Sequence, residues 1–353
     1  MNKIENLNVS EYISTLAKKS KNKILVVGNY NGENVGDNAI LKVILHDLED
    51  INDSEIYVPT RFIEKTDKII SNIYQNKVKA IQVNPFNITF IKKFISANIC
   101  IIGGGTIFSK YLGFFVYLVP VFCIIGKILG KKVVFYSIGY EKSTPQLVTL
   151  MMKVAFKFVD KISVRDYKSL NNLRALGINN NVDLIADPVF RILDYFTEKE
   201  KNLVKKELEV LESKYNLENS IIGVFNYLKE DDKSRNLINL ASSEINKELL
   251  VNPNSNILLI SFYISDVHQK DDTDIHNEIS LLINKPVQIV SEIISPFTVI
   301  ELMKSSQKVY SQRLHSMILA YVSGVNFVAI PYQDKCIELL EQMGHKNILD
   351  FKY

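Results

Sequence analysis

Short runs of β-branched and aromatic residues alternate along the chain with longer stretches whose apolar positions recur at helical spacing, the pattern of βαβ units and parallel sheets. In the first half KILVVG (23–28), EIYVP (55–59), ANICIIGG (97–104), KVVFYSIG (132–139), KISVRD (161–166) and VDLIAD (182–187) predict strands. Most end at Gly or Asp, and the carboxyl ends of strands are where open α/β sheets bind ligands. After Asp187-Pro188 the charge density rises through EKEKNLVKKELEVLESK, a polar amphipathic helix that reads as a connector. Beyond it SIIGVFNYL (220–228), NILLISFY (256–263), VQIV (287–290), QKVYS (307–311) and NFVAIPY (326–332) repeat the alternation. The fold class expected is α/β, with two Rossmann-like domains facing across a cleft. They span residues 1–190 and 191–353, and the last helix is a candidate to pack back on the first domain.

One stretch, YLGFFVYLVPVFCIIG (111–126), has sixteen residues without a charge. A membrane span needs about 20 apolar residues, and this run is interrupted by Pro120 and followed by Lys127, Lys131 and Lys132. It therefore predicts a helix buried between two strands, with peripheral contact at the inner face of a membrane as the alternative. The whole chain of 353 residues is 47% hydrophobic and 23% charged, which excludes a disordered or collagen-like polymer. Lys and Arg number 42 against 39 Asp and Glu, a net +3. That balance, without a basic stripe, argues against a nucleic-acid partner, so an anionic ligand has to be met locally. Cys100, Cys123 and Cys336 lie far apart in apolar runs and read as reduced core thiols. No histidine pair has metal-ligand spacing, and no apolar core of a secretory signal follows the basic N-terminus, so the expected location is the cytoplasm.

Three constellations could carry chemistry. The first strand runs into GNYNGENVGDNAI, whose glycines 28, 32 and 36 are spaced by four, ahead of a helix from about residue 37 to 48. This is neither a dinucleotide fingerprint nor a P-loop. It offers helix-start N–H groups, the carboxylate of Asp37 and the amides of Asn29, Asn31 and Asn34, which suit hydroxyls or an anion. Equally, its glycines serve a turn and Asn34 or Asp37 caps the helix. The second, Gly103-Gly104-Gly105-Thr106, permits close approach of a ligand or of a neighbouring backbone, and Ser137-Ile138-Gly139-Tyr140 ends the next strand similarly. The third is SQRLHSMILAYVSG (311–324), where a short strand meets a helix. With Arg313 in the entry turn and His315 in the first turn, both stand beside unpaired helix N–H groups as an anion site with a planar fork and a titratable ring. The cluster His268, Asp271, Asp272, Asp274 and His276 lacks a repeating ligand spacing and reads as a solvated loop capping a helix. Arg165 and Asp166 either reach the cleft or form a salt-bridged pair between domains.

Taken in order, GNYNGENVGDNAI, IIGGGTIF, SIGY, ISVRD, LIADPVF and SQRLHSMILAYVSGVNFVAIPYQDK resemble the polysaccharide pyruvyl transferase family, from about residue 23 to 343. The resemblance implies a GT-B-like arrangement of two Rossmann-like domains and transfer of pyruvate from phosphoenolpyruvate, a co-substrate, to a sugar as a ketal, with no further cofactor and no metal. It implies that Arg313 and His315 bind the phosphoenolpyruvate. Many relatives carry another arginine just after the first strand of the second domain; here Asn226, Tyr227 or Lys229 stands in that neighbourhood, and Lys229 is a point charge without the bidentate fork.

The chemistry assigns His315 as general acid or as the group stabilising departing phosphate, and Asp37 as the base for the sugar hydroxyls. Asn29, Asn34, Gly36, Gly103, Gly104, Gly105, Ser311, Ser316, Lys229 and Lys335 complete the expected binding set. The expected partners are phosphoenolpyruvate and a saccharide acceptor, free or lipid-linked, of exopolysaccharide or cell-wall biosynthesis. Alternatives are a GT-B glycosyltransferase using a nucleotide sugar and an inactive binding or scaffold protein of the same fold. Oligomeric state is left open.

Overall fold

Strands rich in Val, Ile and Leu and buried on both faces need helices on either side, which is how parallel sheets are covered. The computed structural model describes residues 7–17, 21–51, 53–71, 77–84, 87–109, 115–179, 182–228, 231–267 and 270–351. Among these residues two compact units separate, 33–39 with 196–353 and the remainder.

The first unit carries β1 (Asn22–Val27), β2 (Ser54–Thr60), β3 (Val78–Gln82), β4 (Ile99–Phe108), β5 (Lys132–Tyr140), β6 (Lys161–Val164) and β7 (Val182–Leu184). All pair in parallel, in the order β3-β2-β1-β4-β5-β6-β7. The order reverses between β1 and β4, the Rossmann switch point. The triple glycine does not end its strand as expected; β4 continues through it to Phe108, with a register shift after Thr106. β3, with the sequence VKAIQ, escaped the sequence reading. It is an edge strand with only Val78 and Ile81 buried, so its apolar signal is thin.

The second unit carries β8 (Ser220–Val224), β9 (Asn256–Ile260), β10 (Val287–Val290), β11 (Lys308–Ser311) and β12 (Phe327–Ala329), again parallel, in the order β10-β9-β8-β11-β12. Its switch point lies between β8 and β11. The last helix, Asp334–Met343, belongs to this unit beside the helix Leu314–Val322. The break falls at Tyr195/Phe196 instead of 190 because the short helix Pro188–Tyr195 stays with the first unit. There Arg191 pairs with Asp47 at 2.7 Å inside the core. Residues 33–39 are the larger departure, since they lie early in sequence and group with the second unit.

Arg165 is not half of an interdomain pair. Its Nη1 donates to Asp187 at 2.8 Å and its Nη2 to Thr106 Oγ1 at 2.8 Å, all within the first unit. Asp166 lies 3.7 Å from Arg165 Nε in the same unit and also caps the helix Tyr167–Ala175 by accepting from Ser169 N. The uncharged run yields the helix Phe115–Ile128, while its residues 111–114 lie outside the described residues. Among the described residues no helix is long and apolar enough to cross a membrane.

Candidate active site

At the switch point of the second sheet, β8 and β11 lie side by side with Ser311 opposite Val224. The chain leaves β11 through Gln312 and Arg313 and enters the helix Leu314–Val322. Gln312 N donates to Val224 O at 3.0 Å, and the Gln312 side chain is fully buried. Its Oε1 accepts from Asn226 N at 2.6 Å. Only the carbonyl end of an amide can meet an N–H, so the amide orientation follows from the backbone. Nε2 is thereby left as a buried donor without an acceptor among the described residues.

Arg313 is the N-cap residue of that helix, with extended backbone and no side-chain cap bond. Its guanidinium lies along Asp272, with Nε donating to Oδ2 at 2.6 Å and Nη2 donating to Oδ1. Asp272 Oδ2 also accepts from Phe262 N at 3.0 Å and Tyr263 N at 2.9 Å. Burial pushes the Asp272 carboxyl up against the pull of the guanidinium and those N–H groups. For Arg313 burial opposes the charge, yet the adjacent carboxylate outweighs it and lifts its pKa further. A fork held on one edge in this way leaves the Nη1 N–H groups as donors for a second anion. Tyr263 lies under the guanidinium, 5.8 Å from ring centre to Cζ.

His276 sits fully buried behind this pair. Its Nε2 accepts from Phe225 N at 3.2 Å, which places its own proton on Nδ1, 3.2 Å from Ser261 Oγ. Burial and the nearby Arg313 push it down to about 3, so the ring stays neutral.

The early loop completes the arrangement. Asn34 bridges to Tyr263, Val35 N donates to Phe262 O at 2.9 Å, and Ile264 N donates to Glu33 O at 3.0 Å. Asn34 Oδ1 accepts from Gly36 N at 2.8 Å and Asp37 N at 3.3 Å, which caps the helix Val35–Asp47. A Cβ on Gly36 would fall 2.1 Å from His315 Nδ1, so the imidazole lies directly against the glycine. Asp37 acts electrostatically on Arg313. The structure thus brings Asn34, Gly36, Asp37, Arg313 and His315 together within one unit.

Other predicted residues fall elsewhere. Ser311 and Ser316 are fully buried and bond each other at 2.5 Å, with Ser316 Oγ also donating to Arg313 O, so they hold the turn. Lys335 lies half-buried in the first turn of the last helix, past the carboxyl end of β12. Asn29 accepts from Asn31 Nδ2 at 3.0 Å in the first unit. Gly103, Gly104 and Gly105 also belong to that unit. A Cβ would meet Tyr136 O at 2.8 Å from Gly103 and Ile40 Cγ2 at 1.9 Å from Gly104, so neighbouring chain makes the close approach at both. Lys229 and His268 lie outside the described residues.

Asp272 and His276 correct the solvated-loop reading of their cluster. Asp271 and Asp274 do form a capping box on the helix Asp272–Ser280, but Asp272 and His276 point into the core. A buried arginine needs a carboxylate partner, and that requirement was the available signal for Asp272. Gln312 carried no signal at all, being one polar residue among several. No group of three His, Cys, Asp or Glu among the described residues could hold a metal ion.

The model of the polysaccharide pyruvyl transferase family matches residues 34–334. The chain belongs to that family. The matched span starts at Asn34, the residue that caps the loop against His315, and ends at Asp334, where the last helix begins. No curated protein sequence matches this pyruvyl transferase family member. Among solved structures it resembles UDP-GlcNAc 2-epimerase from Methanocaldococcus jannaschii, with a TM-score of 0.60 at 12% identity over 93% of this chain and 88% of that one. UDP-GlcNAc 2-epimerase from Neisseria meningitidis bound to UDP-GlcNAc gives 0.58 at 15% identity over 89% and 85%. The likeness at that identity is one of fold, the GT-B class with two Rossmann-like domains. Family membership makes the protein a transferase that modifies a polysaccharide.

Proposed function

We propose that this enzyme moves pyruvate from phosphoenolpyruvate onto a saccharide of a cell-surface polysaccharide or its precursor, closing a ketal on two hydroxyls. The observation that carries the reading is the guanidinium of Arg313, held on one edge by Asp272 and flanked by the buried Gln312 amide and a helix start. Phosphoenolpyruvate carries a carboxylate and a phosphate, and these are the groups such a fork and its neighbouring N–H donors bind.

His315 donates a proton to the methylene carbon while one sugar hydroxyl adds to the adjacent carbon and gives its proton to Asp37. Phosphate then departs with its bonding electron pair, beside Arg313. A second hydroxyl adds to the same carbon, gives its proton to His315, which regains the one it donated, and closes the ring, so the products are the ketal and inorganic phosphate. Gly36 lets the imidazole reach this position, and His276 stays neutral, so it adds no competing positive charge. No step draws on a further cofactor.

Release of inorganic phosphate from phosphoenolpyruvate, dependent on a saccharide acceptor, tests the reading. His315→Ala is expected to slow it by about 10²–10⁴-fold, the usual contribution of a positioned acid. Tight binding of a nucleotide sugar with no turnover of phosphoenolpyruvate would replace the reading by a glycosyltransferase. Product levels in cells unchanged by Arg313→Ala and His315→Ala together would replace it by a scaffold.

A further inference from the structure

Three helices of the first unit, Ile88–Ser96, Phe115–Ile128 and Gln146–Ala155, cover one face of its sheet. Their inner residues Phe90, Phe94, Val119, Cys123, Val148 and Met152 belong to one core cluster with Leu25, Cys100 and Val133 of the strands. Phe122 links the first two helices through ring contacts with Phe90 and Phe94 at 5.6 Å.

Their outer faces are apolar as well. Ile88, Ile91 and Ile95 form an exposed stripe on the first helix, and Val121, Ile125 and Ile128 on the second. Leu147, Leu150 and Val154 do the same on the third, which Phe158 extends. Spacings of three, four and seven keep each stripe on one side of its helix. Exposure reaches 79% at Ile128, 68% at Ile88 and 62% at Leu150. Together with Leu129 the stripes leave on the order of 1,000 Å² of apolar residue surface in water, beyond the few hundred Å² of an ordinary soluble monomer.

The charges on the same segments point one way. Residues 87–96, 115–132 and 146–160 hold seven lysines and a single acid, Asp160. That is +6 within a chain whose total is +3, so the remainder is net negative. Asp160 is already committed, to Lys127 at 2.7 Å and Lys132 at 3.2 Å. Lys92, Lys153 and Lys157 stand exposed among the stripes.

Lys131 is buried on the carbonyls of Ile95 and Ala97 and Lys93 bonds Tyr57, so these two stay with the fold. We infer that this face docks on an anionic lipid surface, with the aliphatic and aromatic stripes entering the interface and the exposed Lys92, Lys153 and Lys157 meeting headgroup phosphates. Apolar insertion combined with a basic fringe is how helices lie in the plane of a bilayer without crossing it. A symmetric dimer through the same face would bring two such basic patches together, a like-charge arrangement whose one acid, Asp160, is already paired with Lys127 and Lys132. The balanced net charge of the whole chain conceals this asymmetry.

Co-sedimentation of the full chain with vesicles tests the inference. Binding is expected to vesicles containing phosphatidylglycerol and to be lost with phosphatidylcholine alone. Lys92→Gln, Lys153→Gln and Lys157→Gln combined should weaken binding about tenfold or more, and Ile128→Ser with Leu150→Ser should weaken it comparably. Thermal melting of both variants should match the parent, because the altered side chains are exposed. No binding, or equal binding to both vesicle types, overturns the inference. A dimer in solution that dissociates in the serine variant would assign the face to a second copy and overturn it too.

Discussion

Replacing Asp272 by Asn tests the site where its electrostatics are most concentrated. Asp272 is fully buried and both of its oxygens receive donors. Oδ2 takes Arg313 Nε, Phe262 N and Tyr263 N, whereas Oδ1 takes Arg313 Nη2 and, at 3.5 Å, Tyr227 N. An asparagine keeps its one carbonyl where three donors converge and turns its NH₂ toward Nη2 and Tyr227 N, a donor facing donors. Removing one partner of a buried ion pair costs roughly 3–5 kcal/mol, and since most of the bonds to Oδ2 persist the expected loss is at the low end, about 3 kcal/mol. Denaturant unfolding with an unchanged slope should show it as a shift in midpoint. Arg313 would also lose one of the two contacts that orient it. A charge-assisted hydrogen bond is worth about 1.5–3 kcal/mol, so KM for phosphoenolpyruvate should rise about 10- to 100-fold. Asp274→Asn is the control, since it disturbs only the capping box, costs about 1 kcal/mol and leaves KM alone. If Asp272→Asn shifts stability by less than about 0.5 kcal/mol and leaves KM unchanged, the pair does not position Arg313 and the reasoning fails.

Gly36→Ala puts a methyl 2.1 Å from His315 Nδ1 and must displace the ring. Turnover should fall about 10²-fold, and because His315 Cγ and Cβ also lie 2.5 and 2.7 Å from the new methyl, the melting temperature should hold or fall: relieving the overlap costs about 1–3 kcal/mol against the roughly 1 kcal/mol that alanine gains in a helix. Steady-state kinetics beside thermal melting reads both. His276 is held down to about 3, below its usual 6.5, so the unfolded chain takes up that proton first as pH falls. Its contribution to stability is therefore full above about 6.5 and lost towards 3, with a slope of up to about 1.4 kcal/mol per pH unit, and its imidazole resonances should still be those of the neutral ring at pH 5. Gln312→Leu strands Asn226 N without its acceptor and should cost about 1–3 kcal/mol by denaturant unfolding. Arg165→Met takes the guanidinium away from the buried Asp187 carboxylate, which keeps the N–H of Val189, and should cost about 3 kcal/mol by the same measurement.

The chain itself was enough to read two α/β units, because strand and helix periodicity and the Gly or Asp at strand ends are local properties. Eleven of the twelve described strands follow from apolar runs, and the exception, β3, is an edge strand with little to bury. Arg313 and His315 were legible for the same reason, since a short strand running into a helix start is written in consecutive residues. What the sequence could not decide was who meets them. Asn34, Gly36 and Asp37 lie far upstream and read as part of the first unit, yet backbone pairing of Asn34 with Tyr263 carries them to His315. Asp272 reads as a solvated cap and becomes the buried counter-charge of Arg313 only because β9 and β11 flank β8 in one sheet. Pattern along a chain records which residues seek burial; which charge is buried against which is set by strand order, and strand order exists only once distant segments have paired.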